Sequence, residues 1–344
     1  MKIAFLCDAN NPHVIARIKY LLKAGHEVYY YGLPPASDLV VPPEVNNILV
    51  EPTSGLARFK PFKILLTALM LRRLTRKHKI DILHIMWLGY IIYGPFCRKR
   101  KTVYEIMGSD ILVFPQRSRV WRTYLKIFFP FSDAVIQDAL IAQKEGIKYG
   151  ASPVNNEVIE VGVDFKFFNR EVEKGVARKR LGLGPEQKFV FSPRSFADLY
   201  NIDIVMETIH RVKQHFPDVR YVFCKYSGDL TEKLERTIKE TGVEDNVLFA
   251  GRLETERELP YFYRDADVVV SVPSSDTSPR WVTEPIACGT PVIISEIPWY
   301  HGKFEANRDV KVVPLRDVQA LTSAIVGILK NDIAIDKESA YQKV

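Results

Sequence analysis

The residues with the most chemical promise fall in one stretch, 268–294. It reads as a buried strand, a polar loop, a helix that stops at Gly289, and a second buried strand. Asp276 stands before the helix and Glu284 lies within its first turns, with seven residues between them. The backbone N–H groups of the turn from Thr277 to Arg280 would aim at whatever lies in front of the helix, and a helix start attracts phosphate. A carboxylate one or two turns further in can accept two hydrogen bonds from a cis-diol such as ribose. The same spacing equally describes an N-cap Asp followed by an ordinary helix Glu, and spacing alone leaves both readings open. Arg194 follows another apolar run, 188–192. A fixed cation there can offset negative charge as it grows, although an arginine at a strand end is more often a solvated surface residue.

The elements that must position these groups repeat one grammar twice. In the first half, apolar runs at 3–7, 27–31, 82–86, 103–106 and 134–136 read as strands separated by helical segments. The second half restarts at 188–192, with further strands at 221–224, 247–250, 268–272 and 292–295. Its helices are read at 204–214, 230–241, near Leu259, at 282–287 and at 318–329. Such alternation implies α/β architecture with parallel, doubly wound sheets. The expected division is an N-terminal domain over 1–168, a charged linker over 169–187, and a C-terminal domain over 188–344. In such sheets ligands sit beyond the carboxyl ends of the strands, so the loops at 8–13, 107–110, 192–201, 250–253 and 272–284 are the candidate site.

The chain has 344 residues, 47% of them apolar and 26% charged, which argues against disorder and collagen-like repeats. The apolar run 64–71 is too short to span a bilayer, and the strand-like start shows no signal-peptide pattern. Cys7, Cys97, Cys224 and Cys288 have neither metal-ligand nor disulfide-framework spacing, which fits a reduced compartment. No Asp-x-Asp or His/Cys cluster suggests a metal. Charge is uneven: residues 1–165 hold 22 Lys and Arg against 14 Asp and Glu, while residues 166–344 hold 26 against 27. A basic first half suggests an acidic surface or ligand near it.

The 268–294 stretch resembles the signature of the retaining glycosyltransferases of family 4: an acidic residue, seven residues, a Glu, then Ala-Cys-Gly-Thr-Pro-Val-Ile. Here Asp276, Glu284 and the run from Ala287 to Ile293 supply it. Asp81-Ile-Leu-His84 followed by Met86 and Trp87 is similar to the family's Asp-Ile-Val-His stretch. Gly108-Ser109-Asp110 resembles its loop after the fifth strand, and the run from Val158 to Asp164 resembles the close of its first domain. The run from Val247 to Leu253 resembles the loop that holds the nucleotide base. The likeness covers nearly the whole chain, and its order and spacing carry it.

The resemblance implies the GT-B fold, two Rossmann-like domains facing across a cleft, and transfer of a sugar from a nucleotide-sugar donor with retention at the anomeric carbon, without metal or other cofactor. Glu284 would hold the ribose hydroxyls, and Asp276 the hydroxyls of the donor sugar. Backbone at Thr277 and Ser278 would position sugar and diphosphate, the backbone of Gly251, Arg252 and Leu253 would hold the base, and Arg194 would face the diphosphate. On the acceptor side the resemblance points to Gly108, Ser109 and Asp110. Asp110 would orient the acceptor or take its proton, or else simply cap a helix. His13 would face the cleft or serve structure alone.

The chain departs from the pattern in two places. Where the family has a Lys five residues after the diphosphate Arg, this chain has Leu199; Lys225 and Arg280 are the candidate substitutes. Where the family often has a His before Gly-x-Asp, Met107 stands, and Met cannot donate a hydrogen bond. The final helix that many members carry back to the first domain is also missing from the residues after 329, which puts the interdomain geometry in question.

Basic clusters mark the first half. A helix is expected over 59–79 with Phe62, Leu65, Leu66, Leu69 and Met70 on one side and Arg72, Arg73, Arg76, Lys77 and Lys79 in its last turns. Further clusters lie at 98–101 and 117–126. They suit an anionic membrane surface, or merely complement helix dipoles. Nucleic acid is disfavoured because no binding module is recognisable. The expected protein is therefore cytoplasmic, either free or peripheral on the inner face of the membrane. It would transfer from a UDP-sugar, with GDP-mannose second, to a hydroxyl of a glycan or lipid-linked acceptor. A non-catalytic nucleotide-sugar binder and a sugar-nucleotide epimerase of the same fold are the rivals. A nicotinamide enzyme is disfavoured because 7–13 lacks Gly-x-Gly-x-x-Gly.

Overall fold

The computed structural model describes residues 1–8, 13–34, 41–97, 99–224, 231–251, 253–254 and 256–344, and for His13 and Lys233 the backbone only. Two compact units divide the chain, 1–160 and 161–344. In the first, seven parallel strands are β1 (Lys2–Asp8), β2 (Glu27–Leu33), β3 (Asn46–Leu49), β4 (Ile82–Met86), β5 (Lys101–Glu105), β6 (Ala134–Gln137) and β7 (Asn156–Val158), in the order β3-β2-β1-β4-β5-β6-β7. In the second, six parallel strands are β8 (Phe189–Ser192), β9 (Arg220–Phe223), β10 (Val247–Phe249), β11 (Val268–Ser271), β12 (Val292–Ser295) and β13 (Lys311–Val313), in the order β10-β9-β8-β11-β12-β13. Strand direction of winding reverses between β1 and β4 and between β8 and β11. Those reversals are where doubly wound sheets open crevices at their carboxyl ends.

The central strands are apolar because both faces are covered. All four residues of β8, β11 and β12 are buried, with one apolar cluster on each face of the second sheet. The expected strands all form. The structure adds β3, β7 and β13, three short edge strands that lack long apolar runs.

One expectation is corrected here. Residues 169–187 are not a linker: they pack on the second unit, and the units meet at Glu160 and Val161. Phe168 and Ala177 are buried in its core. The buried carboxylate of Asp265 accepts the N–H groups of Gly175 at 2.6 Å and Arg178 at 3.0 Å, at the start of a helix over Val176–Leu181. Arg178 in turn reaches Asp267 at 2.9 Å. One charge of this segment, Arg178, thus helps to fix it to the start of β11.

The expected helix forms over Lys60–Lys77, and its residues divide sharply in burial. Thr67, Ala68, Leu71 and Thr75 are its buried residues, while Phe62 (49%), Leu65 (45%) and Leu69 (48%) remain exposed. Small residues at 67, 68 and 75 let the helix approach the 88–97 segment closely, and the Thr75 hydroxyl is absorbed by the Leu71 carbonyl at 2.8 Å. Bulk, not hydrophobicity, decides which face turns inward.

If 169–187 is integral to the second unit, Asp265→Ala will strip two backbone N–H groups of their acceptor. Chemical denaturation should show a loss of about 1–3 kcal/mol, and protease should cut faster within 169–187. Wild-type stability and cleavage would restore the linker reading.

Candidate functional site

The second unit builds its site where β8 and β11 run side by side, paired at Val190 with Val268 and Phe191 with Val269. Arg194 leaves the end of β8 and Asp276 the end of β11. Their side chains form an ion pair, although 77 residues or more separate the two strand ends' contacts in sequence. Arg194 is only 4% exposed. Its Nε donates to Ser271 Oγ at 2.9 Å, and its guanidinium lies over the Tyr200 ring, 4.9 Å from the centroid. A buried arginine keeps its charge, so each of these contacts meets a need that burial creates.

The loop that carries Asp276 is held at several points. Ser274 N–H donates to the Leu199 carbonyl at 2.8 Å. Asn201, in the left-handed conformation at φ 50°, donates to the Val272 carbonyl at 2.8 Å and accepts from Arg316 at 2.6 Å. Ser295 donates to the Pro273 carbonyl at 2.5 Å. Thr277 N–H donates to Asp276 Oδ1 at 3.0 Å. Asp276 does not cap the following helix, Arg280–Ala287: Pro279 stands at that position. The N-cap reading of Asp276 therefore fails on geometry.

Four residues into that helix, Glu284 is 2% exposed. Arg280, one turn earlier, places Nε 2.8 Å and Nη2 2.6 Å from Glu284 Oε1, and the Tyr263 hydroxyl donates to Oε2 at 3.3 Å. Burial pushes the Glu284 carboxyl up to about 7; Arg280 and Tyr263 oppose the shift without cancelling it. Thr277 is buried and Ser278 half-buried in the turn between Asp276 and the helix. Gly251 (φ 76°) and the buried Leu253 follow β10, at the same end of the sheet. Lys225 and Arg252 lie outside the described residues.

In the first unit the expected acceptor-side residues divide. Gly108 (φ 107°) opens the short helix Ser109–Leu112. Asp110 is wholly buried; Oδ2 accepts the Leu88 N–H at 3.0 Å and Oδ1 the Met107 N–H at 3.1 Å. Burial pushes its carboxyl up to about 6, against the pull of those N–H groups. This corrects the expectation for Asp110. It ties two loops together and presents no oxygen to an acceptor, and it is not the cap, which is Gly108. His13 begins the helix His13–Lys23, but its side chain lies outside the described residues.

Sequence reasoning missed a buried charged cluster beside it. His84 Nε2 on β4 lies 2.8 Å from Glu105 Oε2 on β5, and Arg17 pairs with the other carboxylate oxygen. Burial pushes the Glu105 carboxyl up, yet His84 and Arg17 outweigh it and hold it below its ordinary value. The available signal was a Glu at the end of an apolar strand, where a charge requires a partner. Among the described residues no cluster of His, Cys, Asp or Glu could hold a metal, and the four cysteines are buried and form no disulfide.

The sequence and the fold have parallels in known proteins. The family described as "Glycosyl transferases group 1" matches residues 173–343, and "Glycosyl transferase 4-like" matches residues 2–139. The chain belongs to the group 1 glycosyl transferases. HepE of Anabaena, solved in complex with UDP and glucose, shares the fold with a TM-score of 0.76 at 16% identity, over 99% of this chain and 94% of that one. This group 1 member therefore has the GT-B fold. A D-inositol 3-phosphate glycosyltransferase of Segniliparus rotundus is 31% identical over 43% of the chain and 33% of its own length. An alpha-monoglucosyldiacylglycerol synthase of Streptococcus pneumoniae is 23% identical over 66% of the chain and 54% of its own length. The match thus spans about a third to a half of these relatives.

The raised Glu284 carboxyl predicts a pH signature. Its folded value near 7 exceeds the ordinary 4.5, so the folded state binds more protons between those values. Stability contributed there is present at low pH and is lost as pH rises through that window. Glu284→Gln cannot ionise. Its stability relative to wild type should rise by on the order of 3 kcal/mol from about pH 4 to about pH 8, read by urea denaturation. A pH-independent difference would mean that Glu284 ionises normally.

Proposed function

We propose that this chain is a retaining glycosyltransferase that takes its sugar from a nucleotide-sugar donor, UDP-sugar first and GDP-mannose second, and delivers it to a hydroxyl of a glycan or lipid-linked acceptor. The observation that carries this reading is the Arg194–Asp276 pair at the winding reversal of the second sheet, one short turn from the buried Glu284. A donor laid along that turn would set its ribose hydroxyls on Glu284, its diphosphate before the start of that helix and beside Arg194, and its sugar hydroxyls on Asp276. Arg194 supplies the fixed positive charge where the leaving diphosphate gains negative charge, so the reaction as proposed uses no metal.

In the proposed step the bond from the anomeric carbon to the diphosphate oxygen breaks. The acceptor oxygen bonds to that carbon on the same face, and its proton passes to the departing phosphate. HepE's complex with UDP and glucose, and the named activities of the two relatives, support the class of donor and acceptor. The test is thermal stability with UDP, GDP and ADP. One of them should raise the melting temperature by several degrees, and Glu284→Ala should remove most of the rise. An undiminished rise in that variant would refute the ribose assignment; binding without turnover across many acceptors would favour a nucleotide-sugar binder.

The first unit is proposed to rest on an anionic bilayer. Among the described residues no helix is long and apolar enough to cross one. The outward face of the Lys60–Lys77 helix carries Phe62, Leu65 and Leu69, continued by Arg72, Arg73 and Arg76. The helix has no acidic residue. Exposed apolar chains followed by cations on one face match the boundary between acyl chains and phosphate headgroups. Vesicles containing phosphatidylglycerol should co-sediment the protein, vesicles of phosphatidylcholine alone should not, and Phe62→Ser with Leu65→Ser should abolish recovery. Equal recovery with both vesicle types would sink the idea.

A further inference from the structure

The donor reading needs a second cation at the diphosphate. The family pattern would put one at position 199, where this chain has Leu199. That position adjoins the site, since the Leu199 carbonyl holds the Ser274 N–H of the Asp276 loop. Arg280 is the cation that the structure shows at the other end of the same loop. It is the first residue of the Arg280–Ala287 helix, directly after the turn at 277–279.

Arg280 is held loosely. Its Nε and Nη2 both fall on one oxygen, Oε1 of Glu284, instead of forming the two-oxygen fork that makes guanidinium–carboxylate pairs strong. Its side chain is 39% exposed, against 3% for Glu284. Yet it covers an oxygen that ribose hydroxyls would require. A long side chain rooted at the helix start can lie back along the helix, onto Glu284, or forward over the first turn. A diphosphate in front of that turn carries more negative charge than one carboxylate, and so outbids it for the guanidinium.

We propose that Arg280 is a relocating cation: in the free protein it covers Glu284, and on donor binding it swings onto the diphosphate, supplying the charge that Leu199 lacks and freeing Glu284 for the ribose. This deepens the donor reading and rests on it. The exchange leaves no group unmatched. Ribose hydroxyls donate to the carboxylate oxygen that the guanidinium gives up, and the guanidinium donates to phosphate oxygens. Arg280 is then a selector for phosphate-bearing ligands, because a bare nucleoside must open the pair and receives nothing in return.

The test is calorimetric titration at about pH 8.5 with UDP and uridine, and with GDP and guanosine. Wild type, Arg280→Met, and Arg280→Met with Leu199→Lys are compared. Arg280→Met should weaken the preferred nucleoside diphosphate by roughly tenfold or more, while the nucleoside binds unchanged or tighter. The added Leu199→Lys should recover most of the lost diphosphate affinity and leave the nucleoside unaffected. Equal weakening of nucleoside and diphosphate would assign Arg280 to Glu284 alone, and unchanged diphosphate binding would remove it from the site; either overturns the proposal. A wild-type protein that binds neither diphosphate overturns the donor reading itself.

Discussion

A guanidinium that cannot lose its proton is buried at the end of β8, and the second unit is arranged around that fact. Arg194 needs a counter-charge, an acceptor for its Nε and a surface for its flat face. Asp276, Ser271 and Tyr200 provide the three. Tyr200 follows Arg194 in the same connection after β8, whereas Ser271 and Asp276 are brought to it by the β8–β11 pairing. The same need explains why the 272–279 loop is held by Asn201, Leu199 and Ser295 instead of being left to solvent. A counter-ion that drifts would leave an unpaired charge in a low-dielectric site, which is far costlier than any one of these hydrogen bonds.

Glu284 follows the opposite logic. Its burial raises the carboxyl toward neutrality, and the partner that resists this is partly in solvent. Arg194 and Asp276 thus form a pair with little freedom, whereas Arg280 and Glu284 form one that can exchange partners. Fixed charge beside exchangeable charge suits the proposed donor site, which would hold a diphosphate and still release it by undoing only the second pair.

Much of this was legible in the residues. Val268-Val-Val and Val292-Ile-Ile read as buried strands because each face of the sheet is covered, and the interval from Asp276 to Glu284 survived intact as a turn and a helix start. Edge strands β3, β7 and β13 did not announce themselves. Asn46-Asn47 and Asn156-Glu157 become strand only by pairing with a neighbour already in place, and long-range pairing leaves no local periodicity. The Lys60–Lys77 helix is apolar on more than one side, so its sequence left the inward face open; the structure buries Thr67, Ala68, Leu71 and Thr75. The charge-rich segment 169–187 looked like a linker because composition cannot show that Asp265 and Asp267 are waiting for it.

The first unit bears on the chemistry through what its acids cannot do. Asp110 is sealed and occupied by two backbone N–H groups, and Glu105 is held ionised between His84 and Arg17. A general base must reach its proton directly or through one water, and both carboxylates are buried away from solvent. Both act instead as internal struts: Glu105 joins β4 and β5 to the His13–Lys23 helix, and Asp110 joins the loops that follow β4 and β5. Neither acid is therefore given the acceptor's proton in the reaction proposed above, which sends it to the departing phosphate. In that proposal catalysis rests on how the second unit holds the phosphate.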